Sequence, residues 1–241
     1  MTNVYRELTE LSAAIFSRHG LMDETVQVRA RALSTEEAIG NPEANDFPLQ
    51  KGKERLMQAN IGGALGQAFT DCFGDYEGTL AAILETPLTN NFRRAIFVAS
   101  INAALRRLDL VQGTVHCRDQ GPGQCAQALA DHVLGRYGRV KISIIGFQPR
   151  MVETLAAGFP VRVLDMDEDN IGEDKFGVTI ESPMVSPEAV AWADLLLVTG
   201  TTLVNGTLPD FLVDKSTIFY GTTIAGAAYL MGWTRFCDSS S

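Results

Sequence analysis

The segments LLLVTGTT (residues 195–202) and IFYGTT (residues 218–223) share one pattern, an apolar run that ends in Gly-Thr-Thr. A buried parallel strand has a continuous apolar sequence. Glycine and small hydroxyl residues at its carboxyl end are typical of the edge at which an open α/β sheet receives a ligand. The two segments therefore predict a parallel sheet with a binding crevice at that edge, and they do not identify the ligand.

The second part of the chain surrounds these strands with further elements of the same kind. From a strand predicted at 114–117 onward, predicted strands and helices alternate, which is typical of a parallel sheet covered by helices on both faces. We therefore expect a Rossmann-like α/β domain over residues 91–241.

The first part of the chain has a different pattern. Alternating apolar residues at 26–32 predict a half-buried strand, and residues 42–53 predict a polar loop. The Gly-rich segment at 56–70 predicts a strand, a tight turn and a second strand. We expect a small α+β domain over residues 1–90, joined to the second domain by a helix at 92–108.

The composition of the chain disfavours some classes of function. The chain has 241 residues, of which 46% are hydrophobic and 20% charged, as in ordinary globular proteins. Its net charge of -9 and pI of 4.8 disfavour a nucleic-acid partner, which binds basic surfaces. No run approaches the roughly 20 apolar residues of a membrane span, and no signal peptide is recognisable. We expect a cytoplasmic protein without a membrane partner, whose four cysteines are thiols.

The ends of three predicted strands supply the candidate ligand-binding residues. Glycine lets the backbone approach a ligand, and threonine hydroxyls with free N–H groups supply hydrogen-bond donors for an anion or polar group. The simpler alternative is that the threonines only cap the helices that follow. The candidates are Gly146, Gln148, Thr199, Gly200, Thr201, Thr202, Asn205, Thr222 and Thr223.

Asp165 is a further candidate because it ends a predicted strand 19 residues beyond Gly146. An acidic residue in this place binds ribose hydroxyls in dinucleotide folds. The glycine fingerprint G-x-G-x-x-G is missing after the preceding strand, however, and no P-loop motif occurs, so a dinucleotide cofactor is poorly supported. The acidic residues that follow, at 167–174, do not have the spacing of a calcium loop, and we expect them to be solvated.

His116 and Cys117, with Cys125 nearby, form the densest group of soft metal ligands. Imidazole and thiolate suit zinc, copper or nickel, so His116 and Cys117 are candidate ligands of a transition-metal ion. Their spacing matches no zinc finger, and neighbouring residues of a strand point to opposite faces. Structural cysteines are the alternative, since free cysteine often packs as a small apolar residue.

Asn102 lies within the apolar helical segment VASINAA (residues 98–104). A buried amide without a partner is costly, so Asn102 must contact either a ligand or the protein backbone. We name it as a candidate ligand-binding residue and keep a hydrogen bond to backbone as the equal alternative.

Several segments resemble a family of prokaryotic proteins of uncharacterised function that are described as heavy-metal chelation proteins. The resembling segments are AIFVASINAAL (residues 95–105), IIGFQP (144–149), Asp165, DLLLVTGTTLVNGT (194–207) and YGTTIAG (220–226).

The resemblance implies an enolase-N-terminal-like domain before the Rossmann-like domain, with a ligand site between them. It also implies a role in handling a heavy metal or a metal chelate. One departure concerns the turn at Gln148, where relatives have an aromatic residue or histidine, and this difference can alter which ligand is bound.

Three functions are compatible with these observations. The first is a cytoplasmic protein that binds a small molecule, a metal ion or a metal chelate between its domains. The second is an enzyme acting on a nucleotide-like or carboxylate molecule, although no catalytic residue can be assigned. The third is a homo-oligomeric or partner-binding protein whose strand-end turns are only caps.

Overall fold

The computed structural model describes residues 3–29, 54–118, 121–238 and 240–241. The polar loop predicted at 42–53 and the end of the strand predicted at 26–32 lie outside the described residues.

The first part of the chain forms an antiparallel sheet behind an amino-terminal helix. Its strands have the order β3-β2-β1-β4. The predicted strand, turn and strand are confirmed as β2 and β3, which pair from Arg55↔Thr70 to Ile61↔Ala64 around a turn at residues 62–63. The elements are α1 (Asn3–Arg18), β1 (Thr25–Arg29), β2 (Arg55–Ile61), β3 (Ala64–Thr70), β4 (Tyr76–Thr79) and α2 (Leu80–Glu85).

Helix α3 (Asn91–Arg107) is the predicted connecting helix, and it is buried between the two sheets. Asn90 caps its first turn by accepting a hydrogen bond from the Arg93 N–H at 2.9 Å. Eleven consecutive residues, 95–105, are buried, because one face packs on β2 and β3 while another packs on helices of the second part. Such a helix is apolar all round rather than on one stripe.

The second sheet has seven strands in the order β11-β10-β9-β5-β6-β8-β7. All neighbours are parallel except β7, which forms an antiparallel pair with β8. The elements are α4 (Gly121–Tyr137), β5 (Ile142–Ile145), α5 (Pro149–Ala156), β6 (Val161–Leu164), β7 (Asp174–Lys175), β8 (Val178–Glu181), α6 (Ser186–Trp192), β9 (Leu195–Thr199), α7 (Thr201–Asn205), β10 (Thr217–Tyr220), α8 (Ala225–Met231) and β11 (Arg235–Phe236).

This strand order confirms an α/β fold with a mostly parallel sheet. The chain leaves β5 toward β6 on one side and returns to β9 on the other, so the order reverses between β5 and β9. In doubly wound sheets, ligands bind outside the carboxyl ends of the strands at such a reversal. The apolar runs at the two Gly-Thr-Thr segments are the buried strands β9 and β10.

The strand predicted at 114–117 is wrong, because these residues are not in a strand. They run beside β3 and the carboxyl terminus instead. The Gln67 N–H donates to the Thr114 carbonyl at 3.0 Å, and Val115 and Ser241 exchange two backbone hydrogen bonds of 2.8 and 3.1 Å. The segment is therefore extended, as its sequence predicts. It makes too few backbone hydrogen bonds with neighbouring segments to form a strand of a sheet.

One hydrophobic core joins the first sheet to one face of the parallel sheet. It includes Val28 of β1, Phe97 of α3 and Val198 of β9, and a second core covers the other face of the parallel sheet. The boundary between domains at residue 90 stays a prediction. Among the helices described, none has the length and apolar character needed to cross a membrane.

Gly66 allows α3 to lie directly on β3. A Cβ at this position would lie 2.2 Å from the Ala103 nitrogen and 2.4 Å from the Ala99 carbonyl oxygen, and backbone atoms cannot move aside cheaply. We expect Gly66→Ala to lower the free energy of unfolding by about 3 kcal/mol, measured by urea denaturation.

Gly135→Ala is the matched control, because Gly135 lies in α4 with no atom within 4 Å of an added Cβ. Alanine in a helix should raise stability there by about 1 kcal/mol. Equal effects of the two substitutions would contradict the close packing of α3 on β3.

Candidate functional site

A cleft of about 1200 Å³ opens at the carboxyl ends of the parallel strands. The wall opposite these strand ends consists of Glu54 just before β2, the end of β3 and residues 116–117. With the exception of Asn102, every site residue predicted from the sequence lines this cleft, including His116 and Cys117. A volume of this size is typical of a small-molecule site rather than of a single ion.

The two Gly-Thr-Thr turns lie side by side at the floor of the cleft. The Gly200 N–H donates to the Tyr220 carbonyl at 3.0 Å, and a Cβ on Gly200 would lie 2.6 Å from the Ile224 nitrogen. The Thr199 hydroxyl accepts a hydrogen bond of 3.4 Å from the N–H of Thr201, the first residue of α7, and the Thr202 hydroxyl donates to the Thr199 carbonyl at 2.7 Å. Among the described residues, no threonine side chain caps α8. Helix capping therefore accounts for the Thr199 hydroxyl and not for the other threonines of the two turns.

Each threonine of the second turn has a separate environment. The Thr223 hydroxyl accepts a hydrogen bond of 3.1 Å from the Phe69 N–H, which ties this turn to β3. The Thr222 hydroxyl is buried, lines the cleft and has no hydrogen-bond partner among the described residues. An unpaired buried hydroxyl at a cleft is available to a ligand, since burial without a partner is costly.

Asn102 lies behind this turn, fully buried and outside the cleft lining. Its amide nitrogen donates to the carbonyls of Gln67, Thr222 and Thr223 at 2.9, 3.2 and 3.2 Å. Its oxygen accepts from the Gly226 N–H at 2.7 Å. These contacts match the alternative in which Asn102 forms hydrogen bonds with the protein backbone. Asn102 fixes the turn that faces the ligand, and a direct ligand contact is not supported by its position.

The turn after β5 is held by Asp165 and Tyr220. Gly146 has a φ of +95°, and a Cβ there would lie 2.6 Å from Thr199 Cγ2. Asp165 accepts from the Phe147 N–H at 2.6 Å and from the Asp167 N–H at 2.7 Å, while the Tyr220 hydroxyl donates to the Gly146 carbonyl at 2.8 Å. The Asp165 carboxylate thus supports the cleft wall, and burial raises its pKa.

Gln148 and Asn205 also line the cleft, and their contacts differ in strength. The Gln148 side chain caps α5 by accepting from the Met151 N–H at 2.5 Å. Among the described residues, the Asn205 amide makes one weak contact, of 3.7 Å to the Met166 sulfur. Asn205 is therefore the freer of the two for a ligand.

The cleft is acidic. Among the described residues that line it there is no lysine or arginine. Three acidic residues of the segment at 167–174, expected to be solvated, lie at its edge. The lining carboxylates are Glu54, Asp71, Asp165, Asp167, Glu168, Asp169 and Asp210.

Glu54 is a further functional candidate. It lies half-buried at the start of β2, opposite the parallel sheet. Burial, and then the charges of Asp165, Asp71 and Asp167, raise its pKa to about 7. Only the pairing of β2 with β3 brings Glu54 to the cleft, and no local pattern at residue 54 reveals that placement.

His116 and Cys117 both line the cleft because they lie in an irregular segment rather than a strand. Burial lowers the pKa of His116 and raises that of Cys117 to about 12, so the thiolate form that metals bind is disfavoured. Within the described residues, no group of three or more His, Cys, Asp or Glu side chains could hold a metal ion. These residues do not fit a preformed ion site, and a metal role for the pair stays a prediction.

Comparisons with known proteins agree with the resemblance seen in the sequence. Residues 128–224 match the family model DUF364, described as "Putative heavy-metal chelation". No curated protein matches the chain.

Two solved structures of DUF364 proteins of unknown function are similar to this fold. One, from Pyrococcus horikoshii, is 16% identical with a TM-score of 0.55 and covers 91% of this chain and 79% of its own. The other, from Desulfitobacterium hafniense DCB-2, is 15% identical with a TM-score of 0.51 and covers 73% and 72%. These structures confirm the mixed α/β fold.

The raised pKa of Glu54 makes stability depend on pH. The folded protein holds this proton up to about pH 7, whereas the ordinary value is 4.5, so the free energy of unfolding falls as pH rises through this window. Glutamine mimics the protonated form. We expect Glu54→Gln to raise stability by about 1 to 3 kcal/mol at about pH 8, and by much less at about pH 5, in urea denaturation.

Glu77→Gln is the control, since Glu77 is exposed on β4. A gain that is the same for both variants, or the same at both pH values, would show that Glu54 is not held in its protonated form.

Proposed function

We propose that this protein binds a small cationic molecule, specifically a metal chelate of net positive charge, in the cleft at the carboxyl ends of the parallel strands. The observation that carries the proposal is the charge of the lining. Seven carboxylates face the cleft, and the described lining residues include no lysine or arginine. Such a cleft concentrates cations and repels anions.

The size and the donor groups of the cleft favour a chelate over a bare ion. Its volume of about 1200 Å³ exceeds the needs of one ion with protein ligands. The described residues form no group of three metal donors. A chelate brings its own donor atoms, so the protein needs to supply only charge and hydrogen bonds around it.

Several groups of the cleft are suited to contact the outer surface of such a chelate. The Thr222 hydroxyl and the His116 Nδ1 atom are buried without hydrogen-bond partners among the described residues, and both residues line the cleft. Phe147 and Met151 add apolar surface to the lining. The family description supports the same class of ligand, as part of this proposal.

The enzyme alternative has one observation in its favour. A carboxyl group whose pKa is about 7 suits general acid–base catalysis, and Glu54 has such a pKa within the cleft. The acidic lining weighs against nucleotide-like and carboxylate substrates, so an enzyme of this fold would act on a cation. Its turnover would be lost in Glu54→Gln.

We also propose that binding takes place in the cytoplasm. The four cysteines are free thiols in the structure, as in proteins of a reducing compartment.

Hexaamminecobalt(III), a cationic complex that keeps its own ligands, provides the test, with AMP as the anionic comparison. We expect the cobalt complex to raise the melting temperature and AMP to leave it unchanged. At about pH 8, where Glu54 is mostly ionised, calorimetric titration should give a dissociation constant roughly fivefold weaker for Glu54→Gln and for Asp71→Asn, because each then removes one charge from the lining.

Glu77→Gln, which changes net charge equally but lies outside the lining, should bind as the unsubstituted protein does. Stabilisation by AMP alone, or by neither compound, would contradict the proposal. Equal weakening in all three variants would show attraction by net charge rather than binding in the cleft.

A further inference from the structure

Two cysteines from distant parts of the sequence meet in the cleft wall. Cys125 lies in the first turns of α4, and Cys237 directly follows β11. Their side chains are hydrogen-bonded to each other, and both line the cleft. Cys125 is buried and Cys237 is half-buried, so a small molecule in the cleft reaches Cys237 more easily.

The position of Cys237 is fixed by the carboxyl-terminal segment. Strand β11 pairs with β10 through Tyr220↔Phe236. The Ser240 hydroxyl donates to the Cys237 carbonyl at 3.0 Å, and the Arg235 guanidinium donates to the Gly113 carbonyl at 2.5 Å. The thiol is therefore held beside Cys125 by contacts on both sides of it.

The same surroundings favour the thiolate form of Cys237. The hydrogen bond from Cys125, with the Arg235 charge and Ser240, lowers the pKa of Cys237 to about 6, although burial opposes this. Cys117, the third thiol of this wall, shows the contrast, since burial raises its pKa to about 12. Thiolates rather than thiols attack disulfides.

We propose that Cys125 and Cys237 form a thiol–disulfide exchange site for low-molecular-weight disulfides that enter the cleft. The Cys237 thiolate attacks one sulfur of the disulfide RSSR, forms a mixed disulfide and releases RS⁻. Cys125 then transfers its proton to the released RS⁻, and its thiolate attacks the Cys237 sulfur, breaks the mixed disulfide and releases the second RS⁻. The two protein thiols are oxidised to one disulfide, and RSSR is reduced to two thiols.

The exchange changes the cleft in two ways. The mixed disulfide places the group R within the cleft, where it excludes another ligand. The final disulfide adds a covalent link between the carboxyl-terminal segment and α4, which the Phe236 and His132 rings, 5.4 Å apart, also bring into contact. This inference does not depend on the ligand proposed above.

The test uses the full-length reduced protein and cystamine, a cationic disulfide that suits the acidic lining, followed by thiol counting and peptide mapping by mass spectrometry. We expect two of the four thiols to be lost and one cross-linked pair of peptides, containing Cys125 and Cys237, to appear. Cys125→Ser should stop at a mixed disulfide of cysteamine on Cys237, and Cys237→Ser should form neither product in the cleft.

Cys72→Ser is the matched control, because Cys72 is exposed and absent from the cleft lining. This variant should form the Cys125–Cys237 disulfide at the rate of the unsubstituted protein. Modification of Cys72 alone, or a cysteamine mixed disulfide on Cys237 that never proceeds to the Cys125–Cys237 disulfide while Cys125 is present, would overturn the proposal. Mapping of the unsubstituted protein decides this even if a variant fails to fold.

Discussion

The side chain of Asn102 connects the parts of this protein that form its cleft. From the middle of α3 it donates to β3 through the Gln67 carbonyl and to the second Gly-Thr-Thr turn through two carbonyls, and it accepts from the first turn of α8. All of these partners are backbone groups that lie out of reach of water. The amide therefore compensates for its own burial and for that of four backbone groups at once.

The close packing around α3 follows from this arrangement. Gly66 on one side and Gly226 on the other have no side chain, so that β3 and α8 can approach the helix. A Cβ on Gly226 would lie 2.8 Å from the Asn102 oxygen. With both glycines in place, the antiparallel sheet supplies one wall of the cleft, and the carboxyl ends of the parallel strands supply the other. The acidic character of the cleft arises because Glu54 and Asp71 of the first wall face Asp165 of the second.

Strand ends were predictable from the sequence, and distant partners were not. The Gly-Thr-Thr segments identified the floor of the cleft because carboxyl ends of parallel strands meet at one edge of a sheet. Asn102 was recognisable as a buried amide, but the sequence could not show that its partners are 35 and 120 residues away.

Other site residues depended on pairings that leave no local signal. Glu54 reaches the cleft only through the register of β2 on β3, and Cys237 only because a two-residue strand adds to β10. The segment at 114–117 has a strand-like sequence, but too few of its residues pair with a neighbouring segment for a strand to form. These placements arise from tertiary pairing, which periodicity along the chain does not record.

Hydrogen exchange measured on Asn102→Ala, with Ser100→Ala as the control, tests the central role of the Asn102 amide most directly. Ser100 is its buried neighbour on α3, and the Ser100 hydroxyl has no partner among the described residues. We expect Asn102→Ala to lower the free energy of unfolding by about 3 kcal/mol and to remove protection from β3 and from residues 222–226 together, while Ser100→Ala changes neither. Full protection at residues 222–226 in Asn102→Ala, with stability equal to that of Ser100→Ala, would contradict the account.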